Sequence, residues 1–129
     1  MLLFVYGTLR KALENSCLLT NAKVVADIAY TNGVLFQTKY GYPAMLQGDL
    51  TVYGELYEIT ENMLPKLDEL EDYVEGRKIN LYERKTQTVF TNKNKFVAMV
   101  YILSNHKKDI VTKQIINGDW KEYIQSKMN

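Results

Sequence analysis

The sequence predicts an α+β domain in which six or so strands form a small closed barrel, with one central helix and one C-terminal helix. Three observations support this prediction. Several segments alternate apolar and polar residues with a period of two, which is typical of strands. Residues 60–73 change to a helical period. The polar stretch 91–95 separates two strand-like runs and predicts a long hairpin.

The first strand is predicted at the start of the chain, where residues 1–5 are all apolar. A short apolar run with β-branched and aromatic residues favours a buried strand. Gly7 ends the run, since glycine lets the backbone leave a strand through conformations that other residues disfavour. We expect residues 6–9 to form a small loop of bare N–H groups, a concavity that binds anions. A tight turn without a ligand is the alternative for this composition.

Two further strand regions are predicted in the first half of the chain. Residues 22–30 and 34–38 have strand character, and the Thr-Asn-Gly sequence between them predicts a hairpin turn. A second turn is predicted at 47–49. Residues 51–59 form a strand with apolar cover on both faces. Gly54 inside this strand predicts a bulge or the close approach of another group.

The second half of the chain is predicted to hold two helices and a hairpin. The central helix covers residues 60–73, with Pro65 near its first turn, where a missing N–H costs little. Strands are expected at 78–90 and 96–103. Residues 110–125 hold the C-terminal helix, interrupted by an Asn-Gly-Asp break whose aspartate is a plausible cap for the last turns.

Length and composition are those of an ordinary soluble domain. The 129 residues fit a single domain, residues 1–129, that can bury a core without disulfides or metals. Sixteen basic and fifteen acidic residues leave a net charge of +1, which does not indicate nucleic acid or membrane as a partner. No apolar stretch approaches the roughly 18 residues of a membrane span, and no secretory signal is recognisable. Because Cys17 is the single cysteine, the cytoplasm is the expected location.

One acidic residue falls on the apolar face of the central helix. On a helical wheel with Leu67 at zero, four other apolar residues lie within about 60°: Met63, Leu64, Leu70 and Val74. Glu71 lies inside this stripe, at about 40°. An ionised glutamate facing a core is costly unless it is paired or neutralised, and desolvation should raise its pKa, which makes it a candidate for function. Alternatively, Glu71 reaches solvent or pairs with a strand residue such as Arg84.

The ordered set of motifs resembles the γ-glutamylcyclotransferase-like superfamily, in particular its small γ-glutamylamine cyclotransferase and AIG2-like members. The matching segments run along nearly the whole chain: residues 5–10 and 15, 42–44, 54–57, 67–71, 82–84 and 118–120. The order of these segments, rather than any one of them, carries the resemblance. Two positions depart from the family pattern, which often has glycine where this chain has Ala12 and Asp72.

The resemblance implies a small mixed β-barrel with a pocket at one end. It also implies that members convert γ-glutamyl compounds to 5-oxoproline and a free amine. Carried onto this chain, Glu71 is the catalytic residue. The substrate-binding loop then consists of four residues: Tyr6, Gly7, Thr8 and Leu9.

Two functions are therefore considered. The first is a cyclotransferase in which the substrate's α-amine attacks its own γ-carbonyl, with Glu71 as general base and then acid and the loop N–H groups holding the oxyanion or the α-carboxylate. The second is a non-catalytic domain of the same fold that binds a small carboxylate-bearing ligand. Tyr82 and Arg84 share a strand face and are candidates to line the pocket, although structural pairing explains them as well.

The remaining expectations concern partners and cofactors. No His/Cys cluster has metal-ligand spacing and no glycine-rich loop matches a nucleotide motif, so neither a metal nor a cofactor is expected. The expected partner is a small γ-glutamyl substrate, with no nucleic acid and no membrane. The chain is expected to be a monomer or a weak homodimer.

Overall fold

The computed structural model describes residues 1–127, which contain six strands and two α-helices. The strands are β1 (Leu2–Val5), β2 (Lys23–Thr38), β3 (Pro43–Glu58), β4 (Tyr82–Phe90), β5 (Lys95–Leu103) and β6 (Val111–Gln114). The helices are α1 (Leu64–Leu70) and α2 (Trp120–Lys127). Short 3-10 helices occur at Ser16–Leu19, Glu61–Met63 and Asn105–Ile110.

Five of these strands close into a mixed barrel. They follow the order β3-β1-β5-β4-β2, and β2 also pairs with β3, which completes the ring. β6 pairs with β2 outside the ring. The pairing of β1 with β5 is parallel and the other pairings are antiparallel. The predicted α+β fold with a small mixed barrel and about six strands is confirmed.

β2 and β3 are longer than the sequence predicted. The turns predicted at 31–33 and 47–49 are wrong, because both segments lie inside continuous strands of 16 residues. The register of the β2–β3 pair shifts between Asn32 and Val34. The Thr-Asn-Gly signal therefore marks a β-bulge, where glycine also occurs often, rather than a chain reversal.

The helices are shorter than predicted. α1 ends at Leu70, and Asp72 follows with a left-handed φ of 51°, a conformation that terminates helices. Val74 therefore leaves the apolar stripe and is 52% exposed, whereas Leu67 is fully buried. In the C-terminal region, β6 replaces the first part of the predicted helix. The predicted cap of α2 is confirmed, since the Glu122 N–H donates to Asp119 Oδ1 at 3.0 Å.

A largely buried network of ion pairs connects the segment after β1 to β3 and to the N-terminal cap of α2. The Arg10 guanidinium donates to Glu55 at 2.9 Å through Nε and to Asp119 at 2.8 Å through Nη1. Glu55 also accepts hydrogen bonds from the Lys11 N–H at 2.8 Å and the Tyr57 hydroxyl at 3.0 Å. Three of the motif segments singled out in the sequence therefore meet in one network, which fixes the chain just after residues 6–9.

The close approach predicted at Gly54 is confirmed. A Cβ atom at this position would collide with the backbone carbonyl oxygen of Val5. Glycine is therefore required where β1 and β3 come together, next to the start of the 6–9 loop. Within residues 1–127, no helix combines the length and apolar character needed to cross a membrane.

Candidate functional site

A cavity of about 300 Å³ lies where β1 ends and where β3 and β4 begin. These strand ends share one end of the barrel because β3 and β4 run opposite to their neighbours. The loop that joins β2 to β3, the C-terminal end of α1 and residues 14–15 also contribute to the lining. The volume is at the lower end of the range found for small-molecule sites, about 300–1,000 Å³. A cavity is therefore present at the end of the barrel, as the predicted pocket requires.

All four residues of the 6–9 loop line this cavity. The Arg10 N–H donates to the Gly7 carbonyl at 3.0 Å, which closes the loop as a turn. Asn15 holds Thr8 from behind, with its Nδ2 donating to Thr8 Oγ1 at 2.9 Å and its backbone N–H donating to the Thr8 carbonyl at 3.0 Å. Among residues 1–127, the N–H groups of Gly7, Thr8 and Leu9 have no acceptor. They are therefore free to bind a carboxylate or an oxyanion.

The Tyr6 hydroxyl, in contrast, is used within the protein. It donates to the Tyr101 carbonyl at 2.7 Å and accepts from the Met45 N–H at 3.2 Å. Burial raises the pKa of this phenol well above its ordinary value, so it stays neutral. Gly7 is required by packing, because a Cβ would lie 2.7 Å from Cγ of Pro43. The loop thus rests on Pro43, which belongs to another motif segment.

Glu71 lines the same cavity as the 6–9 loop. It is the residue immediately after α1, and its N–H donates to the Leu67 carbonyl at 3.1 Å. Within residues 1–127, no hydrogen bond to its carboxyl offsets the burial of this side chain, which is partly exposed. Burial raises the pKa of Glu71 from 4.5 to about 8. A carboxyl with a pKa near neutrality can both accept and donate a proton under physiological conditions.

Arg84 does not lie in the cavity lining. Its Nη1 binds both carboxylate oxygens of Asp68, at 2.9 and 2.7 Å, and its guanidinium lies 5.0 Å from the Tyr73 ring centroid. The proposed pairing of Arg84 with Glu71 is wrong, because Arg84 binds Asp68, which precedes Glu71 by nearly one helical turn. Its position gives no support to the expected substrate contact, and the structural alternative explains Arg84.

Tyr82 does line the cavity, where its buried hydroxyl donates to the Pro43 carbonyl at 2.7 Å. Sequence reasoning missed Tyr101, which also lines the cavity and donates to Asp68 at 2.6 Å. It lies inside the apolar run of β5, so no local signal marks it. The hairpin register pairs Arg84 with Tyr101, and both side chains bind Asp68. Within residues 1–127, no group of three or more potential metal ligands is suitably placed for an ion.

Both positions where the family often has glycine adopt left-handed backbone. Ala12 has a φ of 68° and Asp72 a φ of 51°. This conformation costs a residue with a Cβ about 1–2 kcal/mol, and aspartate tolerates it better than alanine does. Asp72 is also held by Arg77, whose Nη2 donates to its carbonyl at 2.7 Å and to its Oδ1 at 3.0 Å. The two departures therefore keep the local fold while adding strain.

Replacing Ala12 by glycine is expected to raise the free energy of unfolding by roughly 0.5–1 kcal/mol, because relief of strain exceeds the entropy that glycine adds to the unfolded chain. Urea denaturation followed by circular dichroism measures the change. Ala22→Gly is the matched control, because its φ is not positive, and this variant should be less stable than the parent. A loss of stability in Ala12→Gly would contradict the assignment of strain.

The chain is similar in sequence and in structure to several known proteins. The family model described as "Gamma-glutamyl cyclotransferase, AIG2-like" matches residues 3–122. The chain is 34% identical over 122 residues to gamma-L-glutamyl-butirosin B gamma-glutamyl cyclotransferase of Niallia circulans, covering 94% of this chain and 76% of that protein. It is also similar to the crystal structure of YkqA from Bacillus subtilis, with a TM-score of 0.78, 33% identity and coverage of 99% of this chain but only 42% of YkqA. The solution structure of ytfP from Escherichia coli matches with a TM-score of 0.67 and 31% identity, over 96% of this chain and 99% of ytfP.

Proposed function

Because this chain belongs to the AIG2-like γ-glutamylcyclotransferase family, we propose that it converts a γ-glutamyl amide into 5-oxoproline and a free amine. The observation that carries the proposal is the meeting of two features in one cavity. Glu71, with a pKa raised to about 8, lines the same hollow as the three unpaired N–H groups of the 6–9 loop. A proton acceptor and an oxyanion site are the two elements that cyclisation of a γ-glutamyl amide requires.

In the proposed reaction, both reacting groups belong to the substrate. The α-amine nitrogen forms a bond to the γ-carbonyl carbon, the bond from that carbon to the leaving amine breaks, and a five-membered lactam results. The protein must hold the substrate in a folded conformation that brings nitrogen and carbon together, which replaces a bimolecular encounter by a unimolecular step. The buried tyrosines and Pro43 form rigid walls for this purpose, since the Tyr6 and Tyr82 hydroxyls are already hydrogen-bonded to the backbone.

Glu71 is proposed to move the proton. The α-amine arrives as an ammonium group, which is not nucleophilic, so the ionised carboxyl of Glu71 removes one proton. The same carboxyl then passes this proton to the leaving nitrogen. The second proton that the attacking nitrogen loses on forming the lactam follows by the same route, so the amine departs as an ammonium ion and Glu71 returns to its ionised form. A pKa of about 8 suits both steps, because neither protonation state is strongly preferred near neutrality. The N–H groups of Gly7, Thr8 and Leu9 hold the negative charge of the tetrahedral intermediate or the substrate's α-carboxylate.

The experiment that tests this function is incubation of the pure protein with a panel of γ-glutamyl amides, with detection of both 5-oxoproline and the released amine. Equal amounts of the two products are expected. A non-catalytic domain would instead show ligand-induced shifts in melting temperature without either product.

The pH dependence of the reaction rate should reflect the ionisation of Glu71. The kcat/KM value is expected to rise with pH through about 8, since at lower pH most free enzyme carries a protonated Glu71. The kcat value should rise at lower pH than kcat/KM, because the bound ammonium stabilises the ionised carboxyl. Initial rates from pH 5.5 to 9.5 at constant ionic strength measure both profiles. A kcat/KM profile that is flat between pH 6 and 8 would contradict a titrating base.

A further inference from the structure

Glu71 lies inside a Schellman turn that ends α1. The Tyr73 N–H donates to the Asp68 carbonyl at 2.9 Å, and the Asp72 N–H donates to the Glu69 carbonyl at 3.2 Å. These two hydrogen bonds define the motif, and Asp72, with a φ of 51°, occupies its left-handed position. The turn therefore begins at Asp68 and ends at Tyr73, and the position of the Glu71 carboxyl depends on how these two residues are held.

Arg84 holds both ends of the 68–73 turn. Its Nη1 binds the two carboxylate oxygens of Asp68, and its guanidinium lies 5.0 Å from the Tyr73 ring centroid. A hydrophobic contact often joins these two positions of a Schellman turn, whereas here a cation lies between a carboxylate and an aromatic ring and attracts both. Because Arg84 belongs to β4, the same contacts tie the turn to the wall of the barrel.

The helix that precedes the turn has few other fixed points. α1 contains seven residues, which is too short for a helix that is stable without tertiary contacts. Leu67 is its buried residue, whereas Leu70 is 36% exposed. One buried side chain fixes a point of the helix but not its rotation about that point. The Asp68 carboxylate supplies a second point, because it binds Arg84 from β4 and the Tyr101 hydroxyl from β5.

We propose that Arg84 is a positioning residue for Glu71, which it holds in the cavity by fixing both ends of the 68–73 turn. This inference rests on the proposed function, in which Glu71 moves the proton. Arg84 lies outside the cavity lining, so it acts through the direction and burial of the Glu71 carboxyl and not by touching the substrate. The motif segment 82–84 then serves the site twice, since Tyr82 lines the cavity and Arg84 holds the turn.

Replacing Arg84 by glutamine is expected to lower kcat by about 10- to 100-fold and to change KM by less than about threefold, because a misplaced proton acceptor affects the reaction more than binding. Arg84→Lys keeps the charge that Asp68 binds but not the planar group beside the Tyr73 ring, and its kcat should be intermediate. Lys85→Gln removes the same charge from the next residue of β4, which is exposed, and should keep the kcat of the parent. Initial rates of 5-oxoproline formation measure all three variants.

A double-mutant cycle shows whether Arg84 acts through Glu71. In the Glu71→Gln protein the proton acceptor is already absent, so Arg84→Gln should lower the residual kcat by less than about twofold. A purely structural role would multiply the two losses, and that result would overturn the proposal. A kcat in Arg84→Gln equal to that of the parent would overturn it as well.

The second measurement is the pH dependence of stability, which needs no turnover. The titratable groups that face Glu71 in the cavity are a second carboxyl, that of Glu14, and four phenols whose pKa its charge raises: Tyr6, Tyr42, Tyr82 and Tyr101. The phenols stay neutral up to pH 9, and comparison with Glu71→Gln isolates the carboxyl of Glu71. Because burial raises its pKa to about 8, Glu71→Gln should stabilise the protein more at pH 9 than at pH 4.

This gain in stability should fall by at least half in an Arg84→Gln background, because a carboxyl released from the turn reaches solvent. Loss of the Arg84 charge alone would act in the opposite direction, since it disfavours the ionised carboxyl. Urea denaturation at both pH values gives the gain and shows that the variants are folded; Arg84→Lys replaces Arg84→Gln in the comparison if the latter does not fold. An undiminished gain would overturn the proposal. If the parent forms no 5-oxoproline, the proposed function fails, while the gain at pH 9 still decides whether Arg84 holds Glu71 in place.

Discussion

Replacing Glu71 by glutamine is expected to lower kcat/KM for γ-glutamyl amides by roughly 10²–10⁴-fold, the usual contribution of a positioned general acid–base. Glutamine keeps the size and polarity of the side chain but cannot accept the ammonium proton. Product formation measured by 5-oxoproline detection gives the rate. Glu69→Gln is the matched control, since Glu69 is exposed on α1 and outside the cavity lining, and it should retain full activity. Unchanged turnover in Glu71→Gln would remove this residue from the mechanism.

The same variant is expected to be more stable than the parent at alkaline pH. The pKa of Glu71 is higher in the folded state than in the unfolded chain, so folding retains a proton that the unfolded chain releases. The parent therefore loses stability as pH rises from about 4.5 to about 8, while the glutamine variant does not. With allowance for partial solvent screening, the gain at pH 9 is on the order of 1–4 kcal/mol.

Urea denaturation of both proteins at pH 4 and pH 9 measures this difference. The two should be similar at pH 4, where the carboxyl is protonated in both the folded and the unfolded state. A glutamine variant that is less stable than the parent at pH 9 would show that the folded protein stabilises the ionised carboxyl, contrary to the desolvation argument. The same measurement also establishes that lost turnover does not result from unfolding.

The second large effect is expected at Glu55. Glu55→Gln removes the charge that pairs with Arg10 and leaves the guanidinium with Asp119 alone, on the partly buried side of the network. Removing one partner of a buried ion pair typically costs about 3–5 kcal/mol, because the remaining charge stays desolvated. Glutamine cannot offer two carboxylate oxygens to the three donors that Glu55 binds. Urea denaturation at pH 7 measures the loss.

Glu58 provides a control whose ion pair has the same length. It also lies on β3 and forms an ion pair at 2.9 Å, with the N-terminal ammonium, but its side chain is 50% exposed compared with 5% for Glu55. Glu58→Gln is therefore expected to cost less than about 1 kcal/mol. Equal effects of the two substitutions would mean that burial does not determine the contribution of these pairs.

The Arg10 network also connects stability to the cavity. Arg10 directly follows Leu9, and its backbone N–H closes the 6–9 loop through the Gly7 carbonyl. Its side chain holds β3 through Glu55 and the cap of α2 through Asp119. The loop that lines the cavity is therefore anchored by charged residues that lie outside the lining. Motif segments from three distant parts of the sequence therefore meet in one network.

Local sequence patterns were sufficient for the elements whose signals are themselves local. The apolar run of β1, the polar turn between β4 and β5 and the Asp119 cap of α2 were all predicted where they occur. The Thr-Asn-Gly signal failed because a bulge and a turn use the same residues, and only pairing with β3 distinguishes them. The predicted end of α1 lies too far along the chain. Asp72 adopts left-handed backbone there, and aspartate predicts this conformation less clearly than glycine does.

The sequence by itself determined which residue types were available to the site: an acid on an apolar helical stripe and a glycine loop after a buried strand. Tertiary structure decided which of them meet. The closure of β2 onto β3 and the β4–β5 register bring Glu71, the 6–9 loop and Tyr101 around one cavity. Arg84 binds Asp68 instead of Glu71. The physical reason is that pairing between strands distant in the chain sets these neighbours, and burial by those neighbours raises the pKa of Glu71.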